Sequence, residues 1–184
     1  MKNTQKLYLA GGCYWGMEEL FRHMPGVIAT QVGFSGGHIA NVAYREVTTG
    51  TTGHAETLMV EFDTETVTLK HLLFEFFRVH NPTKPNQQGN DIGTQYRSAI
   101  FYLDEVQKSV AEQVIATVNA SGQWGMPVVT QLKAFQAFYP AEDKHQKYIM
   151  QFPDGYTCHH RRNFDLGETP WLSFCCWLSR WQSC

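Results

Sequence analysis

The apolar positions change period several times along the chain, and each change marks an element. Residues 6–10 are a short apolar run that reads as a strand, after which Met17, Leu20, Phe21 and Met24 recur at helical spacing. That spacing predicts a helix over 14–24, ended by Pro25-Gly26. Residues 27–35 read as a strand, and 37–53, rich in Gly, Thr and Asn, as a long loop. Strict alternation over 55–62 puts Glu56, Leu58, Val60 and Phe62 on one strand face and Thr57, Met59 and Glu61 on the other. Leu69, Leu72, Leu73, Phe76 and Phe77 then predict an amphipathic helix that Asn81-Pro82 ends. A polar loop follows over 83–95, then a strand over 97–103. Next comes a helix over 104–119, with Asp104 as N-cap and Gln107 three residues on. A strand at 128–133 and a helix near 141–150 precede an irregular tail.

The order β-α-β-β-α-β is that of the ferredoxin-like split βαβ arrangement, extended here by a helix and a strand. It predicts an α+β two-layer sandwich. One domain is expected over 1–165, with an apolar, Cys- and Trp-rich extension at 166–184.

Composition narrows the class. Of 184 residues, 43% are hydrophobic and 17% charged, which excludes a disordered chain. A formal net charge of -2, without basic clusters, gives no footing for nucleic acid or an anionic membrane. No segment approaches the ~20 apolar residues of a membrane span, and the apolar run after Lys6 is too short for a signal peptide. A cytoplasmic monomer is the expectation. The five cysteines, Cys13, Cys158, Cys175, Cys176 and Cys184, are odd in number and unevenly spaced, which argues against a disulfide framework.

That leaves Cys13 to be explained by packing or by chemistry. In Gly11-Gly12-Cys13-Tyr14-Trp15-Gly16 a strand ends, two glycines turn the chain, and a cysteine opens a helix. The helix's unpaired N–H groups and positive dipole end favour a thiolate there, as a nucleophile needs. Tyr14 and Trp15 suggest an apolar wall beside the sulfur, although aromatics of this kind also simply plug cores. In Gly53-His54-Ala55-Glu56, the acid shares its strand face with Leu58, Val60 and Phe62. Burial there would hold its proton and make it an acid; a solvated strand end is the plainer alternative. The polar loop Gly89-Asn90-Asp91-Ile92-Gly93-Thr94-Gln95-Tyr96-Arg97-Ser98 could bind a substrate through Asp91 and Tyr96. An Asx-turn and a half-buried strand tyrosine explain the same residues without function, and Tyr44 stands in the same position.

The motifs GGCYWG, AYREV, TTGHAE and GNDIGTQYRS, in this order and spacing, resemble the A-type peptide methionine sulfoxide reductases over residues 6 to 160. The common family form has Phe where this chain has Tyr14. The resemblance implies Cys13 as nucleophile, Glu56 as the acid that protonates the sulfoxide oxygen, and Tyr44 and Tyr96 as phenols bonded to that oxygen. It places Tyr14, Trp15, Asp91 and His54 in substrate binding, and it implies no cofactor and no metal. The implied reaction turns the S epimer of methionine sulfoxide into methionine and Cys13 into a sulfenic acid. Cys158, in Gly155-Tyr156-Thr157-Cys158-His159-His160, would resolve that acid as a disulfide, which thioredoxin would reduce.

Two rivals stand beside this reading. His54-Ala55-Glu56 is half of a zinc deaminase signature, but its Pro-Cys-x-x-Cys partner is absent. A module that only binds apolar peptides would have no need of Cys13 or Glu56. The resemblance stops before the final fifteen residues, PWLSFCCWLSRWQSC, whose cysteines are either bystanders or a second relay.

Overall fold

A computed structural model describes residues 3–168. Strand β1 (Thr4–Gly11) leads to helix α1 (Tyr14–Arg22), β2 (Val27–Ser35), a single turn α2 (Tyr44–Val47), β3 (Ala55–Asp63) and α3 (Leu69–Val79). A two-residue hairpin, β4 (Gln87–Gln88) and β5 (Asp91–Ile92), precedes β6 (Ser98–Tyr102), α4 (Glu105–Ser121), β7 (Gln131–Ala134), β8 (Phe138–Pro140) and α5 (Tyr148–Gln151). The main sheet runs β7-β6-β1-β3-β2-β8. Its four central strands are antiparallel in the split βαβ order expected, and β7 adds in parallel to β6 at the edge.

The alternation predicted for 55–62 decides which side faces the helices. Leu58, Val60 and Phe62 join Leu7, Leu9, Val32 and Phe34 in one buried cluster with Phe21, Leu72, Leu73, Phe76 and Phe77. Each such side chain removed from water contributes roughly 1.5–3 kcal/mol, so the apolar stripe of α3 fixes its place on the sheet. The opposite face carries Tyr8, Ala10, Met59 and Phe101 and is covered by Phe135 and Phe138, with Tyr8 stacked on Phe135 at 4.2 Å. Thr68 and Asp104 cap α3 and α4 through the backbone N–H groups of His71 and Gln107. Gln107 does not close a capping box onto Asp104; its carboxamide accepts from Leu103 N–H and donates to Lys6 O.

Three expectations are corrected. The strand expected at 128–133 forms only over 131–134. The helix expected near 141–150 breaks into a 3₁₀ turn (Asp143–His145) and α5, because Lys147 takes a positive φ of 50° and Gln146 leaves the helix to bond both backbone groups of Val32. The loop 37–53 contains α2, and β8, read as no element in the sequence, pairs with β2.

The stretch after α5 is irregular yet tied down. Glu75 of α3 accepts from Arg78 and Arg161, and Glu168 accepts from Arg78 and pairs with His71. Leu166 is fully buried in the main core, so the packed body continues past residue 165 to at least Glu168. The tail cysteines Cys175, Cys176 and Cys184 lie outside the described residues. Among those described, no helix is long and apolar enough to cross a membrane.

Candidate active site

Cys13 stands where β1 hands over to α1. Gly12 turns the chain at φ 101°, and a Cβ there would strike the Gln88 side chain, so only glycine fits. Cys13 is the N-cap residue of α1 and is 6% exposed. Burial opposes the thiolate expected from a helix start. Burial pushes the Cys13 thiol up, the Glu56 carboxylate pushes it further, and only the Trp15 backbone N–H pulls it down. The magnitudes explain the outcome: a helix end contributes roughly 0.3–1 kcal/mol, less than one pKa unit, whereas desolvation of a buried charge contributes several.

Glu56 is the second residue of β3, on the helix-facing side, and 3% exposed. Its Oε2 accepts the Tyr14 backbone N–H at 3.1 Å, which ties the acid to the residue after Cys13. Burial raises its carboxyl to about 8, so at neutral pH it keeps its proton. The expectation of a buried acid holds, and the solvated strand end does not describe it.

Three phenols gather around this carboxyl. Tyr14, Tyr44 and Tyr96 are all held above the ordinary tyrosine value, first by burial and then by the Glu56 charge, Tyr44 up to about 12. They remain hydrogen-bond donors at any physiological pH. Tyr44 is delivered by the turn α2, and Tyr96 by a 3₁₀ turn (Thr94–Tyr96). Buried Arg97 joins the two neighbourhoods: its guanidinium donates to Thr94 O and to Gly53 O, just ahead of β3.

The aromatic wall is larger than GGCYWG suggests. Trp15 stacks on Tyr148 at 3.8 Å, and His145 lies against Tyr14, Trp15 and Tyr44, nearest to Tyr44 at 4.5 Å. His145 and Tyr148 carried no sequence signal beyond lying in the helix expected near 141–150. Tyr14 itself is 1% exposed, and its buried hydroxyl has no hydrogen-bond partner among the described residues. An unpaired buried hydroxyl costs about 1–3 kcal/mol. Tyr14→Phe is therefore expected to raise the thermal midpoint by ~2–4 °C for each kcal/mol recovered, read by calorimetry. A lowered midpoint would show that the hydroxyl is paired in solution.

His54 sits differently from expectation. Its Nδ1 accepts from Gly37 N–H at 3.2 Å and its Nε2 donates to Ile39 O at 2.8 Å. With both nitrogens engaged it braces the 37–39 loop, and no lone pair remains for a substrate or for the zinc of a deaminase. Asp91 is half-buried, and its Oδ2 accepts from the Tyr156 hydroxyl at 3.1 Å. Cys158 lies near both, within electrostatic reach of Asp91 and of Cys13, and burial first raises its thiol to about 12. Cys13 and Cys158 are both free thiols.

A buried thiol beside a protonated acid, with a second thiol within electrostatic reach of the first, makes this a thiol-dependent oxidoreductase on an α+β scaffold. The sequence profile described as Peptide methionine sulfoxide reductase matches residues 5–169. The chain belongs to the peptide methionine sulfoxide reductase family. It is 51% identical over 159 residues to Peptide methionine sulfoxide reductase MsrA of Streptomyces coelicolor, covering 86% of this chain and 90% of that protein. Among solved structures it resembles methionine sulfoxide reductase A of Corynebacterium diphtheriae, with a TM-score of 0.74, 37% identity, and 92% and 85% of the two chains covered. It also resembles reduced Mxr1 of Saccharomyces cerevisiae, with a TM-score of 0.80, 34% identity, and 86% and 92% covered. That yeast protein has also been solved in complex with Trx2, where the likeness is one of fold (TM-score 0.54, 22% identity, 86% and 90% covered).

Proposed function

We propose that this chain reduces the S epimer of methionine sulfoxide, free and in proteins, and so repairs oxidative damage. The observation that carries the reading is the protonated Glu56 carboxyl held by the backbone of Tyr14, directly after the Cys13 nucleophile. Breaking an S–O bond needs a proton on the departing oxygen, and an acid poised near neutrality supplies it. Tyr44 and Tyr96 donate to the same oxygen and stabilise the charge that develops there. Cys13 attacks the sulfoxide sulfur. The oxygen passes to Cys13 as a sulfenic acid while the substrate sulfur is reduced to the thioether. Asp91 holds the substrate main chain, and Tyr14 with Trp15 packs against its methyl group.

Cys158 then attacks the sulfenic sulfur, water leaves, and a Cys13–Cys158 disulfide forms. An external dithiol returns both cysteines to thiols. The complex of the yeast relative with Trx2 supports thioredoxin in that role. Two cysteines that must be thiols at the start of each cycle favour a reducing compartment, the cytoplasm, and a monomer suffices.

The test uses a peptide carrying each epimer. With dithiothreitol the protein should reduce the S epimer and leave the R epimer intact. Without reductant, Cys158→Ser should still release about one methionine per chain in the first turnover yet form no disulfide to Cys13. Reduction of the R epimer alone, or a Cys13 disulfide persisting in that variant, would overturn the corresponding assignment.

A further inference from the structure

The segment that bears Cys158 has no helix or strand of its own, yet it meets the Cys13 loop at a defined point. His159 is 7% exposed, and its Nε2 lies 2.8 Å from the carbonyl oxygen of Gly11, the last residue of β1. A carbonyl can only accept, so Nε2 carries the ring proton and Nδ1 presents a lone pair. That lone pair faces Cys158 Sγ at 3.5 Å. Burial depresses the ring to about 4, so it is neutral and the tautomer persists at physiological pH. The His159 backbone N–H donates to Thr157 Oγ1 at 3.1 Å, which turns the chain so that ring and thiol point the same way.

The seat is cut from the residues around Cys13. A Cβ on Gly16 would run into Thr157 Oγ1 and stand 2.9 Å from His159 Nδ1, and one on Gly12 would come within 3.4 Å of the ring. The turn and the first turn of α1 therefore both leave room for this one imidazole. Nothing in the attack of Cys13 on a sulfoxide uses it.

We propose that His159 is the positioning residue of the resolving step: its bond to Gly11 docks the Cys158 segment onto the Cys13 loop and so governs how fast the sulfenic acid becomes a disulfide. The proposal rests on Cys158 as the resolving thiol. In that step the Cys158 sulfur bonds to the Cys13 sulfur and the S–O bond of the sulfenic acid breaks. The hydroxide leaves with the Cys158 proton as water; Cys158 is oxidised, Cys13 is reduced to the disulfide level, and no outside oxidant enters. Holding two reacting groups in place raises their effective concentration by orders of magnitude over that of a loose chain. A sulfenic acid left waiting is open to irreversible oxidation, which makes the speed of this step matter.

Two variants separate the anchor from the rest of the ring. His159→Gln keeps an N–H donor where Nε2 stands and can still reach Gly11 O. His159→Asn keeps a polar group near Nδ1 but is too short to reach it. The full chain is mixed rapidly with a methionine sulfoxide peptide without reductant, following methionine release and the Cys13–Cys158 disulfide separately, with dimedone trapping of the sulfenic acid. Methionine release should match the wild type in both variants. The disulfide should form within about 3-fold of the wild-type rate in the Gln variant and ~10²-fold slower in the Asn variant, with trapped sulfenic acid accumulating. An unslowed disulfide in the Asn variant overturns the proposal, as does a Gln variant as slow as Asn. Equal slowing of methionine release in the Asn variant also overturns it, because His159 would then support Cys13 itself. Cys158→Ser run alongside tells the two failures apart. A Cys13 disulfide surviving there removes Cys158 from the mechanism, whereas its loss beside an unslowed Asn variant removes only His159.

Discussion

Cys13→Ser is expected to abolish methionine formation, with a loss of more than about 10⁴-fold, because the nucleophile of a covalent mechanism has no substitute within the site. A serine hydroxyl ionises far less readily than a thiol and cannot carry the oxygen as a sulfenic acid. The substitution is nearly isosteric at a buried position, so the fold should be retained and the loss should fall on the chemistry. Methionine produced from a sulfoxide peptide with dithiothreitol, measured beside the circular dichroism spectrum, checks both halves. Activity retained within a hundredfold would refute the nucleophile and revive a site that only binds peptides. The raised thiol adds a second expectation: iodoacetamide should label Cys13 slowly in the free enzyme, because burial disfavours the reactive thiolate.

Glu56→Gln is expected to lower kcat/KM by ~10²–10³-fold, since it keeps the shape and removes the transferable proton. It should also change the pH dependence. The wild-type carboxyl, raised to about 8 by burial, is an acid below that pH, so activity should fall as pH rises through about 8. The glutamine variant should lack that limb. Stability follows the same linkage. The folded pKa lies above the ordinary carboxyl value of 4.5, so the folded state holds the proton more tightly than the unfolded state. The contribution is fully present below about 4.5 and is lost as pH rises through about 8. Across that window the wild type should lose on the order of a few kcal/mol relative to Glu56→Gln. Denaturant melts of both proteins at pH 5 and pH 9 measure it, and parallel curves would show that Glu56 is ionised throughout.

Local pattern carried much of this protein. The period-two run at 55–62 specified a strand and told which face Glu56 shares, because side chains alternate whatever the neighbours are. The helical stripe of α3 and the order of elements were likewise enough for the split βαβ core. The Gly11-Gly12-Cys13 junction was legible as a strand-to-helix turn, since glycine there answers a backbone requirement. Four motifs in order pointed to the family.

Tertiary structure decided what depends on distance in sequence. A helix start favours a thiolate at Cys13 in the sequence, but the burial that opposes it is set by elements far along the chain. His54 reads as a ligand beside Glu56 in the sequence, but the 37–39 loop folds back and takes both its nitrogens. His145 and Tyr148 join the aromatic wall where the expected helix is broken and Gln146 bonds across to Val32. Most of all, the approach of Cys158 to Cys13, 145 positions apart in the numbering, rests on an irregular segment that no periodicity marks. Hydrogen bonds such as that from His159 to Gly11 hold it, and such bonds depend on where the chain returns rather than on which residues are neighbours.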